Sequence, residues 1–261
     1  MKLPIYQVDA FTSKLFSGNP AAVVPLTQEL PEQIMQSIAN ENNLSETAFI
    51  DISTEPFNIR WFTPTTEVDL CGHATLASAK ILFEKHLDEH IDLITFDSKS
   101  GELRAVKKDD LIFLDFPTDH LKKVKDKEFI LDLLGFEPQL LFKGRDDYLA
   151  IFETEKIIME LIPNFIEISK IDSRGLIASA PGDSVDFVSR CFFPQTGVNE
   201  DPVTGSAHTT MIPYWSKILS KDILLAHQLS KRGGVLHCEN NDERVKIGGD
   251  SLIYSIGEIS L

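Results

Sequence analysis

The chain has little cysteine and little positive charge. Cys71, Cys191 and Cys238 are the only three cysteines among 261 residues, and their wide spacing fits neither a disulfide framework nor a zinc-ligand pattern. Lysine and arginine together number 25 against 40 acidic residues, so the formal net charge is −15. Such an acidic surface repels phosphate backbones and anionic lipid headgroups. We therefore expect no nucleic-acid or membrane partner. An anionic substrate requires a binding site whose local electrostatic potential differs from that of the rest of the surface.

Other signals are also missing. There is no apolar run of about 18 residues, the length that predicts a transmembrane helix, and the first eleven residues do not read as a signal peptide. Glycine patterns typical of nucleotide binding and of the serine nucleophile elbow are absent. His86 and His90 are four residues apart but follow a helix-like segment rich in charge. We expect a cytoplasmic protein that needs no cofactor and binds no metal.

One segment of the sequence occurs twice. Residues 60–68 read RWFTPTTEV and residues 190–198 read RCFFPQTGV, with five identities at an offset of 130 residues. The identical residues are Arg60, Phe62, Pro64, Thr66 and Val68, which recur as Arg190, Phe192, Pro194, Thr196 and Val198. A helix start with glycine follows each copy, at Gly72 and Gly205. The sequence therefore predicts an internal duplication, with a three-residue insertion near Asn199–Asp201 in the second copy.

The pattern of apolar residues predicts two α+β halves. Helices are expected at 31–42, from about Gly72, and at 127–134 and 205–220, with shorter helical turns between 154 and 170. Strands are expected at 3–9, 20–25, 46–52, 57–63, 91–97, 101–107, 110–116, 147–153, 174–180, 186–193, 223–229, 233–238, 243–248 and 251–259. Because strands and long helices do not alternate regularly, a doubly wound parallel sheet is disfavoured.

The segment Asp115-Phe116-Pro117-Thr118, followed by the lysine-rich run 122–127, indicates a domain boundary. We place the first domain at 1–118 and the second at 119–261, and the final strand is free to cross back to the first domain. In a duplicated protein, the two repeated helix starts are expected to face one another across the cleft between the halves.

Each repeated helix start offers unpaired backbone N–H groups to an anion. The segments are Gly72-His73-Ala74 and Gly205-Ser206-Ala207. The first turn of a helix carries the positive end of its dipole, which suits a carboxylate. The same N–H groups also stabilise negative charge that develops while a proton is removed.

Groups that exchange protons occur at the same places. His73 lies at the first helix start, Asp201 precedes the second, and Glu46 begins an apolar strand-like run. Each also has an ordinary explanation: a capping or core histidine, a turn residue before Pro202, and a surface residue at a strand end. Cys71 is a further candidate base or nucleophile, because a helix N-terminus lowers the pKa of a thiol.

Four motifs together resemble one known family. They are GNPAAVV at 18–24, SETAF at 45–49, CGHAT at 71–75 and EDPVTGSAH at 200–208. The chain resembles the PhzF-like family, the phenazine-biosynthesis isomerase-like proteins, along almost its whole length. This resemblance implies an α+β, diaminopimelate epimerase-like fold, in which two pseudo-symmetric domains each wrap a β-sheet around a central helix. It also implies a homodimer.

The resemblance assigns roles to individual residues. Glu46 matches the glutamate that, in the family's characterised isomerase, moves a proton between two carbons of a dihydro-hydroxyanthranilate ring. His73, Asp201 and Ser206 match the other polar groups of that site. The remaining residues expected to contact substrate are Asn19, Ser45, Gly72, Ala74 and Gly205.

Related epimerases and racemases use two cysteines, one at each helix start, as opposed acid and base. Here Cys71 occupies the first position, but Thr204 occupies the second. A threonine hydroxyl is far too weak an acid to replace a thiol. The resemblance therefore does not extend to a two-thiol racemase.

Three functions remain open from the sequence. The leading hypothesis is a cofactor-independent isomerase that uses Glu46 to move a proton on a small carboxylated metabolite. The second is an epimerase or racemase with non-thiol bases, such as Glu46 opposed to Asp201 or Cys71. The third is a metabolite-binding or interaction protein without turnover.

Overall fold

The computed structural model describes all residues, 1–261. The chain divides into two compact units, the first formed by Met1–Asp115 with Gly248–Leu261 and the second by Phe116–Ile247. The sequence-based boundary after residue 118 lies three residues beyond Asp115, and the last strand belongs to the first unit. No helix is both long and apolar enough to cross a membrane.

The first unit contains two helices and nine strands. The helices are α1 (Glu32–Asn42) and α2 (Gly72–Lys85). The strands are β1 (Lys2–Ala10), β2 (Asn19–Leu26), β3 (Glu46–Asp51), β4 (Phe57–Phe62), β5 (Glu67–Val68), β6 (Leu93–Ser98), β7 (Gly101–Lys108), β8 (Leu111–Pro117) and, at the C-terminal end of the chain, β18 (Ser251–Ser260).

The strands of the first unit form a mixed sheet around α2. Neighbouring strands follow the order β18, β1, β2, β3, β4, β6, β7 and β8, and only the pairs β2–β3 and β4–β6 are parallel. Ten residues of α2 are buried, from His73 to Phe83. They include the expected core residues Leu76, Ile81, Leu82 and Phe83. Small residues such as Ala74, Ala77 and Ala79 let the sheet approach the helix closely.

The second unit contains four helices and nine strands. The helices are α3 (Phe129–Leu134), α4 (Glu155–Glu160), α5 (Phe165–Ile168) and α6 (Gly205–Leu219). The strands are β9 (Lys122–Val124), β10 (Leu140–Lys143), β11 (Asp147–Ile151), β12 (Gly175–Pro181), β13 (Phe187–Phe193), β14 (Val198–Asp201), β15 (Ile223–Gln228), β16 (Gly234–Asn241) and β17 (Arg244–Gly249).

The second sheet repeats the pairing scheme of the first. Its strands follow the order β9, β10, β11, β12, β13, β15 and β16, and the parallel pairs are β11–β12 and β13–β15. Helix α6 packs on this sheet as α2 packs on the first, while α3, α4 and α5 cover a separate apolar cluster. The α+β architecture with a central helix in each half is therefore confirmed.

The repeated arginines occupy equivalent places in the two sheets. Arg60 Nε donates to Glu67 Oε1 over 2.7 Å, and Arg190 Nε donates to Glu200 Oε1 over 2.8 Å. Each guanidinium also lies 5.2 Å from the ring centre of the phenylalanine two residues later. The duplication thus preserves an ion pair and a cation–π contact, not only a sequence pattern.

Strand pairing corrects one part of the predicted repeat. Trp61 pairs with Val68, whereas its counterpart Cys191 pairs with Asp201. Val68 therefore corresponds to Asp201, and the matching letters of Val68 and Val198 do not mark equivalent positions. The three extra residues lie before Glu200, in the segment with the 3₁₀ turn Pro194–Thr196.

The four predicted helices are confirmed, with their predicted ends within about two residues of those observed, and α4 and α5 lie where helical turns were expected between 154 and 170. The short strands β5, β9, β10 and β14 were missed. The lysine-rich run that follows the predicted boundary contains β9, which pairs with β10 inside the second unit. Lysines are frequent on short edge strands because their charge prevents pairing with other chains, so the composition of this strand resembles that of a linker.

Candidate active site

In the first unit, the polar candidates meet at the start of α2. Cys71 is the N-cap of this helix in an extended conformation. Glu46 is the first residue of β3, and Asn19 is the first residue of the neighbouring parallel strand β2. The two parallel strands and the helix therefore bring Asn19 and Glu46 to His73.

The His73 ring lies between a carboxylate and two further polar groups. Its Nε2 is 3.1 Å from Glu46 Oε2, and its Nδ1 is 3.2 Å from Asn19 Nδ2 and 3.5 Å from Cys71 Sγ. In the neutral ring, the Asn19 amide nitrogen donates to Nδ1 and Nε2 carries the proton, whereas in the protonated ring both nitrogens carry a proton. The N–H of His73 thus faces Glu46 whether the ring is neutral or protonated.

The contact between Glu46 and His73 is close but poorly aligned. The two atoms satisfy the distance of an ion pair, yet neither Glu46 Oε2 nor His73 Nε2 has a hydrogen bond of good geometry. Both atoms are buried. We regard this contact as an ion pair without a linear hydrogen bond, which leaves the carboxylate oxygen able to turn toward a ligand.

Burial and neighbouring charge set the protonation of this cluster. Burial by itself lowers the pKa of His73, but the charge of the adjacent Glu46 carboxylate opposes this, and the pKa lies above the ordinary value of 6.5. Burial, reinforced by the charge of Glu46, raises the pKa of the Cys71 thiol to about 11. Cys71 is therefore a neutral thiol near pH 7, and the proposed lowering of its pKa by the helix N-terminus is wrong.

The same three side chains are the best candidates for binding a metal ion. One ligand atom each from Glu46, Cys71 and His73 lies within 4.8 Å of the others. However, the imidazole stands between the other two, with Nδ1 toward the thiol and Nε2 toward the carboxylate. One ion cannot use both nitrogens of one ring, and a metal requires the thiolate, which burial disfavours. The arrangement suits proton transfer better than metal binding.

In the second unit, Asp201 lies at the end of β14, just before α6. Thr204, the N-cap of α6, donates its hydroxyl to Asp201 Oδ2 over 2.6 Å. Gln228, which is fully buried, accepts from the Thr204 N–H and donates to the Asp201 carbonyl oxygen. Thr204 therefore fixes the carboxylate of Asp201.

Ser206 lies at the second position of α6, and its Oγ accepts a hydrogen bond from Arg174 Nη2 over 3.1 Å. Gly205 and Ala207 on either side are buried. Neither α2 nor α6 has an N-cap side chain that accepts a hydrogen bond from the helix. The first N–H groups of both helices thus lack the usual side-chain cap, as an anion site requires.

The predicted residues therefore form one group in each unit. Asn19, Glu46 and His73 meet in the first unit, where Ser45, Gly72 and Ala74 are their neighbours in the chain. Asp201, Gly205 and Ser206 lie at the start of α6 in the second. Gln228 and Arg174 were not predicted from the sequence, because both lie far from the motifs and are brought to them only by strand pairing.

Comparison with known proteins supports one assignment throughout. Residues 8–257 match the family model described as phenazine biosynthesis-like protein. An uncharacterised isomerase of Halalkalibacterium halodurans is 48% identical, with both chains covered completely. A crystal structure of a PhzF family protein from Enterococcus faecalis has a TM-score of 0.97 at 45% identity, again with both chains covered completely.

More distant structures bear on the fold alone. A predicted epimerase of Pseudomonas aeruginosa is 19% identical and superposes with a TM-score of 0.77 over 99% of each chain. The architecture is the diaminopimelate epimerase-like fold that the resemblance implied.

Proposed function

The chain belongs to the phenazine biosynthesis-like (PhzF) family of isomerases, and on that premise we propose that it moves a proton on a small carboxylated metabolite with Glu46 as the acid and base. The observation that carries this proposal is the buried contact between Glu46 and His73. A carboxylate with one oxygen beside an N–H donor, and with no well-aligned partner of its own, is suited to take up and release a proton.

The proposed reaction needs no external oxidant or group donor. Glu46 removes a proton from a carbon next to a double bond, and the electron pair of that C–H bond moves into the neighbouring unsaturated system. The resulting carboxylic acid returns the proton to a different carbon of the same molecule. Substrate and product are isomers, and Glu46 ends as it began.

The other polar residues are assigned supporting roles. His73 donates toward Glu46 and keeps its carboxylate oriented while it is ionised. Asp201, fixed by Thr204, is proposed to orient a polar group of the substrate. N–H groups at the start of α2, including those of Gly72 and Ala74, are proposed to stabilise the negative charge that develops during proton removal.

The first prediction uses deuterium and can be tested before the substrate is identified. Purified protein is incubated with a cellular extract of small metabolites in D₂O, and mass spectrometry follows both deuterium uptake and changes in retention time. We expect at least one carboxylated metabolite to be labelled or converted by the wild type and not by Glu46→Gln. The conservative amide keeps the size of the side chain but cannot accept the proton.

Equal labelling by both proteins, or none by the wild type, contradicts the proposal. Deuterium confined to a stereocentre, with loss of optical purity, identifies an epimerase instead of a positional isomerase. A metabolite that binds tightly and is recovered chemically unchanged identifies a binding protein without turnover.

A further inference from the structure

The duplicated motif no longer carries the same chemistry in its two copies. Strand pairing aligns β3 with β12, so that Glu46 corresponds to Gly175. A side chain at Gly175 would collide with the ring of Phe193. The second copy therefore has no place for a glutamate, and its polar residues perform another task.

Arg174 occupies that region of the second unit. It lies directly before β12, and its Nε donates to Asp147 Oδ1 over 2.9 Å while Nη2 donates to Asp147 Oδ2. Asp147 is only 3% exposed and pairs with Gly175 across the parallel strands β11 and β12. The guanidinium carbon lies 5.2 Å from the centre of the Phe193 ring. A bidentate ion pair and an aromatic face thus hold Arg174 in one orientation.

This orientation leaves part of the guanidinium open. Asp147 occupies the edge formed by Nε and Nη2, whereas Nη1 at the other end forms no hydrogen bond within the protein, and the side chain is 36% exposed. The ion pair with Asp147 balances the charge of Arg174, so the arginine offers an anion a fixed donor edge and not a net positive charge.

The hydrogen bond to Ser206 adds a second donor. Because a guanidinium only donates, Ser206 Oγ is the acceptor in this contact, and its own O–H is left to donate elsewhere. The uncapped first turn of α6 begins at the preceding residue, Gly205. Arg174 Nη1, the Ser206 hydroxyl and the first N–H groups of α6 therefore make a set of donors without a matching acceptor.

We propose that Arg174 selects the anionic group of the substrate, holding a carboxylate together with Ser206 and the start of α6, while Asp147 positions Arg174. This inference rests on the proposed function in taking the bound anion to be the substrate's carboxylate. It gives the two copies of the motif different tasks, proton transfer at Glu46 and anion binding at Arg174.

The experiment compares a carboxylate with its neutral amide. Isothermal titration with 2-aminobenzoate and 2-aminobenzamide measures the preference for the charged group in the wild type, in Arg174→Met and in Arg174→Lys. We expect the wild type to prefer the carboxylate by about ten- to a hundredfold, the ratio typical of a hydrogen bond to a charged group. Arg174→Met loses this preference, and Arg174→Lys keeps part of it because the charge remains.

Two further variants keep the result interpretable. Arg174→Met leaves Asp147 buried without its partner, so the double variant Arg174→Met/Asp147→Asn removes the unpaired charge and is expected to fold and to show the same loss. Arg145→Met is the matched control, because Arg145 is 76% exposed and pairs only with its neighbour Asp146. It should retain the wild-type preference.

A wild type that binds neither compound, or binds both equally, overturns the inference, as does a folded double variant that still prefers the carboxylate. Glu46→Gln separates this inference from the proposed function. If wild type and Glu46→Gln both prefer 2-aminobenzoate but the wild type shows no proton transfer in the deuterium experiment, the anion site stands and the isomerase proposal falls. If proton transfer depends on Glu46 but Arg174→Met keeps the preference for the carboxylate, the isomerase proposal stands and the anion site falls.

Discussion

Two buried histidines have pKa values shifted in opposite directions by their neighbours. His73 has a carboxylate and a thiol as neighbours, and its pKa is raised. His208, four residues into α6, has only the Thr204 carbonyl oxygen within hydrogen-bonding distance of Nδ1, at 2.7 Å. Burial lowers the pKa of His208 to about 4. The first histidine holds its proton more tightly than a free imidazole, and the second is a neutral structural group.

His208 makes the stability of the protein depend on pH. In the unfolded chain the ring binds a proton below its ordinary pKa of 6.5, whereas the folded protein resists protonation down to about 4. The contribution of His208 is therefore fully present above pH 6.5 and is lost as the pH falls toward 4. We expect the free energy of unfolding to fall by about 1 kcal/mol per pH unit from this group in that window.

Urea unfolding at pH 7 and at pH 5 checks this prediction. His208→Asn is the comparison, since its amide can still donate to the Thr204 carbonyl oxygen but does not titrate. The loss of stability on acidification should be smaller in the variant than in the wild type. Equal losses in the two proteins would show that His208 does not resist protonation.

The motifs made part of this site predictable. The combination of SETAF, CGHAT and EDPVTGSAH indicated Glu46, His73 and Asp201, although each residue was ambiguous alone. Arg174 gave no such signal, because the role proposed for it depends on the parallel pairing of β11 and β12, which places Asp147 beside it. Contacts that depend on the register between strands cannot be predicted from the local sequence.

Among the secondary-structure elements, helix α2 is the one that its sheet encloses most closely in the first unit. Ala77 is fully buried, and ten of the 14 residues of this helix are buried. The spacing of apolar residues alone therefore does not predict this helix, since a helix buried on nearly all sides has no polar stripe. Small side chains at several positions were the signal that predicted its central place.

Enlarging one of these alanines should disrupt the packing. Ala77→Leu forces extra carbon atoms into a closed interior, and we expect a loss of about 1–3 kcal/mol in the free energy of unfolding. Urea denaturation measures this, with Glu84→Leu on the exposed part of the same helix as control, expected to change stability by less than about 0.5 kcal/mol. A fully stable Ala77→Leu would mean that α2 is not tightly enclosed.

Across the molecule as a whole, the two ends of the chain come together in the first unit. β18 pairs with β1 from Lys2↔Ser260 to Ala10↔Ser251, with one register shift between Gln7 and Val8. The sequence predicted the strand at 251–259 and allowed for its return to the first half. Its partner could not be predicted, because both edges of a mixed sheet offer similar backbone hydrogen bonds.

Deleting residues 251–261 should expose the backbone of β1. Hydrogen exchange followed by mass spectrometry is expected to show amides of β1 exchanging at least about tenfold faster, with peptides from β12 and β13 as the internal reference. Unchanged protection of β1 would contradict the observed pairing with β18.

The proposed role of Glu46 as the group that carries the proton is best checked by separating binding from turnover. For the metabolite that the deuterium experiment identifies, the dissociation constant and the turnover rate are measured for wild type and Glu46→Gln. We expect a dissociation constant within about threefold of wild type and a turnover rate lower by about 10²–10⁴, the usual contribution of a general acid and base. Turnover by Glu46→Gln at the wild-type rate would show that another group carries the proton.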